Sequence, residues 1–160
     1  MDLFPLPKAA TAEHGWTHKA IVTHEDLAAM AAAATGVQAI FPSSGNFNAG
    51  TIFGNFAYKL KTQFDFSDAA ITGLTMQIGI TGGDTDKYLT AQDLAADGTP
   101  IDVFIEGAVT TPAAVNTADT VDALFTASGG ASPLVSEATS GEVHIYFRVI
   151  DPTELEEMQA

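Results

Sequence analysis

The side chains best suited to chemistry in this chain are four histidines and a knot of aspartates. His14, His18 and His24 lie close in sequence, and imidazole is a common zinc ligand. Their spacing is poor for a metal. His14 and His18 share a helical face only if Gly15 and Trp16 are helical, and the flanking pattern reads as strand or arm, so exposed or partly packed imidazoles are expected. Asp84, Asp86, Asp93 and Asp97 gather near a GGDTDK turn, and calcium takes several oxygen ligands from such loops. The spacing of a helix-loop-helix calcium site is missing, because Lys87 follows Asp86, and aspartate in a glycine-rich turn needs no ion. Ser43, Ser44 and Ser128 fall in loops without a G-x-S-x-G elbow. Gly79, Gly82 and Gly83 fit neither phosphate-binding glycine spacing. Twenty acids guarantee nominal carboxylate pairs for glycoside hydrolysis, but the companion aromatics are missing: Trp16 is the only tryptophan, and most phenylalanines fit core faces. No catalytic residue, metal or cofactor is expected, and the chain is not read as an enzyme.

The totals narrow the classes further. A chain of 160 residues is ordinarily one domain, able to bury a core without staples. It has no cysteine, which excludes thiol nucleophiles and thiolate zinc sites and leaves the redox compartment unread. Six basic against twenty acidic residues give a formal net charge of -14, and such a surface repels phosphate, so no nucleic-acid partner is expected. No apolar run approaches the ~20 residues of a membrane-spanning helix, so no membrane partner is expected either. The N-terminal MDLFPLPKAATAEHGW lacks the apolar core of a secretory signal, which points to action inside the cell or export as part of something larger.

Two period-two stretches organise the chain. Over 52–66 the even positions Ile52, Phe56, Tyr58, Leu60, Phe64 and Phe66 are apolar, while Asn55, Lys59, Lys61, Gln63 and Asp65 are polar. Over 71–80, Leu74, Met76, Ile78 and Ile80 alternate with Gly73, Thr75, Gln77 and Gly79. They are expected to pair as a hairpin through 67–70. Further strands are expected at 16–23, 37–41, 101–109, 119–127 and 141–150, with a brief one at Leu134 and Val135. Ile101, Val103 and Ile105 form the inward face of 101–109, and Phe104 shares the polar face as a contact candidate. Asp122 is placed outward. Thr23, with Asp26 three residues on, reads as the N-cap either of a helix running to a C-terminal Gly36 or of a loop with helical turns, since about eleven residues are marginal as an isolated helix, and Thr90 with Asp93 as the cap of a second helix ended by Gly98.

The sum is an all-β fold, a β-sandwich or jelly roll of seven to eight strands with one or two short helices. The domain spans 15–151, preceded by an extended N-terminal arm over 1–14 and followed by an acidic C-terminal turn over 152–160. The arm lacks periodicity, and Pro5 and Pro7 bias it to extended conformations; it either folds back on its own domain or docks on a neighbour. Leu3, Phe4, Leu6, Phe41, Phe47 and Phe53 are the apolar surplus outside clear core positions and are the contact candidates.

The runs AYKLKTQFDFSDAAITGLTMQIGITGGDTDKYLTAQDL and TADTVDALFTASGGASPLVSEATSGEVHIYFRVID resemble small accessory virion proteins of tailed bacteriophages, the capsid decoration or cement group in particular. The likeness covers roughly 16–151. It lies in a long strand ending in DFSDA, the GDTDKYL turn, the TADTVD strand and the closing GEVHIYFRVID strand. The resemblance implies a β-rich protein made in the host cytoplasm that binds the capsid exterior and stabilises it by bridging major capsid subunits. Its partners would be the major capsid protein and sister copies, as a homo-oligomer on the particle. The alternatives are a tail, neck or head-fibre component of the virion, or a carbohydrate-binding module, which needs a solvent-facing aromatic platform; an unrecognised hydrolase is a minor third.

Overall fold

Alternation of apolar and polar residues governs nearly every element. The computed structural model describes residues 1–5, 15–41, 52–80, 83–95, 100–106, 113–114 and 120–150, and the backbone alone of 2–5, 41, 52–55, 113–114 and 150. In chain order the strands are β1 (Asp2–Pro5), β2 (His18–Thr23), β3 (Thr35–Phe41), β4 (Ile52–Phe66) and β5 (Gly73–Ile80), then β6 (Leu89–Asp93), β7 (Phe104–Glu106), β8 (Ala113–Ala114), β9 (Val121–Ser128) and β10 (Ala138–Ile150). One α-helix, α1 (His24–Ala28), and a 3-10 turn (Val135–Glu137) complete the described elements. The strands form two antiparallel sheets, one of six strands in the order β1-β2-β10-β4-β7 with β8 also on β4, and one of four in the order β3-β9-β5-β6. Apolar faces from both sheets meet in one core, which makes the fold an all-β sandwich.

Parity sets burial as expected. Tyr58, Leu60, Phe64, Leu74, Met76, Ile78, Val143, Ile145 and Phe147 are all buried, and Lys59, Lys61, Gln63 and Gln77 are not. Contacts between the sheets include Phe56 against Tyr88 at 5.2 Å and the Tyr58 hydroxyl donating to Gln92 Oε1 at 3.4 Å.

Several expectations are corrected. β4 and β5 do not form a hairpin: β4 joins the six-stranded sheet and β5 the four-stranded one. Placed in opposite sheets, their apolar faces pack into the one core between the sheets. Residues 67–72 make the corner. There the Asp68 carboxylate accepts the Ala70 N–H at 2.9 Å, and the Ser67 N–H donates to the Glu137 carbonyl at 2.9 Å. The expected helix to Gly36 shrinks to five residues. Its cap is as read, with the Asp26 carboxylate accepting from the Thr23 N–H at 2.9 Å and from the Thr23 hydroxyl at 3.0 Å. Gly36 instead enters β3, where it is buried and its missing side chain leaves room for Met30 and Val135.

The second expected helix is strand β6, because Leu89 is wholly buried and the segment pairs with β5. Leu134 and Val135 lead into the 3-10 turn and do not form a strand. Asp122 is 5% exposed, not outward-facing in water, and accepts a hydrogen bond from the Thr120 hydroxyl. Within the expected 1–14 arm, Asp2–Pro5 forms an edge strand on β2, pairing Leu3 with Ala20 and Phe4 with Lys19. This part of the arm folds back, since an apolar segment beside an unpaired strand edge satisfies its backbone groups there. Residues 6–14 and the acidic turn over 152–160 lie outside the described residues.

Candidate functional site

The strands that face the core with Tyr58, Leu60, Val143 and Ile145 turn a second set of side chains outward. Register places them in rows. Tyr146 lies between Lys19 on β2 and Ala57 on β4, and His144 between Ile21 and Lys59, with Phe104 of β7 opposite Lys59. Lys19 Nζ stands 5.8 Å from the centre of the Tyr146 ring, and Lys59 Nζ 5.4 Å from that of Phe104. The Phe104 and Tyr146 rings are 4.9 Å apart, tilted by 55°. Three of the six basic residues of this acidic chain, Lys19, Lys59 and Lys61, therefore share one sheet face with two aromatic rings.

Asp102 organises the margin of this face. Its Oδ1 accepts from Lys59 Nζ at 2.9 Å and also from Lys61, and these two ammonium groups hold the carboxyl down at about 2. Its backbone has φ 63°, and its N–H donates to the Leu60 carbonyl at 2.7 Å. Aspartate tolerates this left-handed region better than most side chains, and the three polar contacts hold it there. The pinned residue sits within a run of exposed apolar side chains: Ile101 at 48%, Val103 at 51% and Phe104 at 50% exposure. The expected inward face of Ile101 and Val103 is thus overturned. The strand is only three residues long, and Asp102 breaks the extended backbone before it begins.

His144 occupies the middle of the face, its Nε2 at 2.5 Å from Glu142 Oε1. Burial lowers its pKa, and Lys19 and Lys61 act in the same direction against the opposing pull of Glu142. The folded protein therefore binds this proton less tightly than the unfolded chain does. The resulting stability is fully present above the ordinary histidine value of 6.5 and is lost as pH falls below it. Melting temperature should drop more steeply in the wild type than in His144→Gln on going from about pH 7.5 to about pH 5.5; equal slopes would show that His144 carries none of the dependence.

The other sequence candidates are scattered. His18 stacks on Phe147 at 5.5 Å and contacts the Thr17 hydroxyl through Nδ1 at 2.9 Å, His24 opens α1, and His14 lies outside the described residues. Asp84 and Asp86 are exposed, and a hydrogen bond with Asp84 raises the Asp86 carboxyl. The Asp93 carboxylate accepts the Ala95 N–H at 3.1 Å, and Asp97 lies outside the described residues. Among the described residues no group of three or more His, Asp or Glu is placed to hold a metal ion. A cavity of about 210 Å³ lined by Phe64, Asp65, Ile71, Thr72 and Ala95 contains a single carboxylate.

Leu3, Phe4 and Phe53 belong to strands of the six-stranded sheet and Phe41 to β3 of the other, while Leu6 and Phe47 lie outside the described residues. By backbone position, three of these four strand residues therefore lie in the six-stranded sheet and one in the four-stranded sheet. Alternation in this stretch imitates a core strand and hides the exposure of Ile101 and Val103; Phe104, on the polar face, is the residue whose position signals a contact. A tilted ring pair with a lysine over each ring makes a poor flat platform for a sugar. No family model, curated protein or solved structure matches this chain.

Proposed function

We propose that this chain is an accessory structural protein of a tailed-phage virion, bound to the outside of the capsid and stabilising it by bridging major capsid subunits, with no catalytic role. The observation that carries the reading is the apolar ridge Ile101, Val103 and Phe104, half exposed and continuous with the Phe104–Tyr146 face. Exposed apolar side chains clustered beside paired charges fit a protein partner. The all-β sandwich and the likeness of the DFSDA, GDTDKYL and GEVHIYFRVID segments to decoration proteins support the same reading. The molecule's net charge of -14 suits a protein partner over a polyphosphate one.

Heads of the encoding virus, stripped of accessory proteins, provide the test. Added chain should bind them saturably in sedimentation and should appear by electron cryomicroscopy as density on the outer shell between capsid subunits. Density confined to the neck, tail or head fibre would support the alternative virion placement. Absence of binding to heads and to whole particles would overturn the proposal.

A further inference from the structure

We infer that the partner surface taken up by this face sets a carboxylate on Lys19 and packs an apolar side chain against Phe104. The inference rests on the shell-binding reading and specifies the chemistry of the same site. Lys59 and Lys61 share one counter-ion, Asp102, between them. Lys19 is different: among the described residues its ammonium makes no ion pair and lies over the Tyr146 ring. Glu142 acts on it electrostatically without a direct contact, while Lys59 and Lys61 repel it, and burial already lowers its pKa. A partly desolvated cation of this kind gains from an incoming carboxylate more than a fully hydrated one would.

Tyr146 stands between the two contact points, 5.8 Å from Lys19 Nζ and 4.9 Å from the Phe104 ring centre. One side chain of a partner and its near neighbour can therefore engage both. The ridge is also held in place before binding, because Asp102 is tied to Lys59, Lys61 and the Leu60 carbonyl. Little ordering cost remains to be met on docking. The chain as a whole is strongly acidic, so an acidic patch is favoured where basic residues gather, as Lys19, Lys59 and Lys61 do on this face.

The experiment measures binding to stripped heads at low and high salt for the wild type, Lys19→Met, Lys19→Arg and Phe104→Ala, with a melting curve for each to establish folding. Lys19→Met should bind about tenfold more weakly at low salt, with the gap narrowing as salt rises, and Lys19→Arg should recover most of the loss. Phe104→Ala should lose about tenfold at every salt concentration, as a buried aromatic anchor does. Wild-type binding with Lys19→Met unchanged, or weakened equally at all salt concentrations, would overturn the carboxylate contact and leave the shell reading standing. Unchanged binding by Phe104→Ala would overturn the apolar contact in the same way. Failure of the wild type itself to bind would overturn the shell reading and this inference together.

Discussion

Replacing Gly141 with alanine should remove roughly 3 to 5 kcal/mol of stability, most of the margin of a domain at the low end of the usual range of about 5 to 15 kcal/mol. Two costs combine. Gly141 has φ 129°, outside the range in which side chains are comfortable, at a register shift where β10 passes Asp65 and Thr62 of β4. An added Cβ would also run into the Phe64 ring, lying only 2.7 Å from its Cε1 and nearer still to Cδ1 and Cγ. Phe64 is 2% exposed and cannot swing into solvent. Backbone strain contributes about 1 to 3 kcal/mol and overpacking a similar amount. Urea denaturation of the wild type, Gly141→Ala, Phe64→Ala and the double variant measures both costs. With the ring removed, the alanine should retain only its backbone cost. An equal loss in both backgrounds would show that the ring is not the obstacle.

Phe147→Ala should cost about 4 kcal/mol. The side chain is 0% exposed and lies between two near-parallel rings, Phe56 at 5.4 Å and 13° and His18 at 5.5 Å and 15°. Its removal forfeits the transfer of a large apolar group from water, opens a cavity between rigid strands and breaks both stacks, each worth about 0.5 to 1.5 kcal/mol. Phe147→Leu should lose less, since it keeps much of the volume. The denaturation midpoint measures the loss. A fall of under about 1 kcal/mol in Phe147→Ala would mean that the neighbouring strands collapse into the space.

The Phe104 ridge contrasts with these positions in a way that bears on what could be foreseen. Phe147 and Phe104 both sit in alternating strand sequence, and alternation alone treats each neighbour set as half inward. The inward prediction succeeds for VHIYFRV, because β10 is thirteen residues long and paired on both sides. It fails for IDVFIE, because the edge strand there is three residues long and, among the described residues, pairs on one side only. A strand held on both sides has its side-chain directions imposed by the ladder. The residues leading into a short edge strand are free to turn, and at Asp102 they do.

Composition and period-two patterning by themselves determined the all-β class, the inward and outward residues of β4, β5 and β10, the cap at Thr23, and a charge that disfavours phosphate. These are local properties, each decided by a residue and its neighbours within a few positions. Tertiary structure alone decided the sheet to which each strand belongs, the reduction of the alanine-rich run to a five-residue helix, and the folding back of Asp2–Pro5 onto β2. It alone also brought Lys19, Lys59, Phe104 and Tyr146 together from four separate strands. The reason is that partner choice between strands depends on which arrangement buries every apolar face at once, a property of the whole chain that no window of sequence contains.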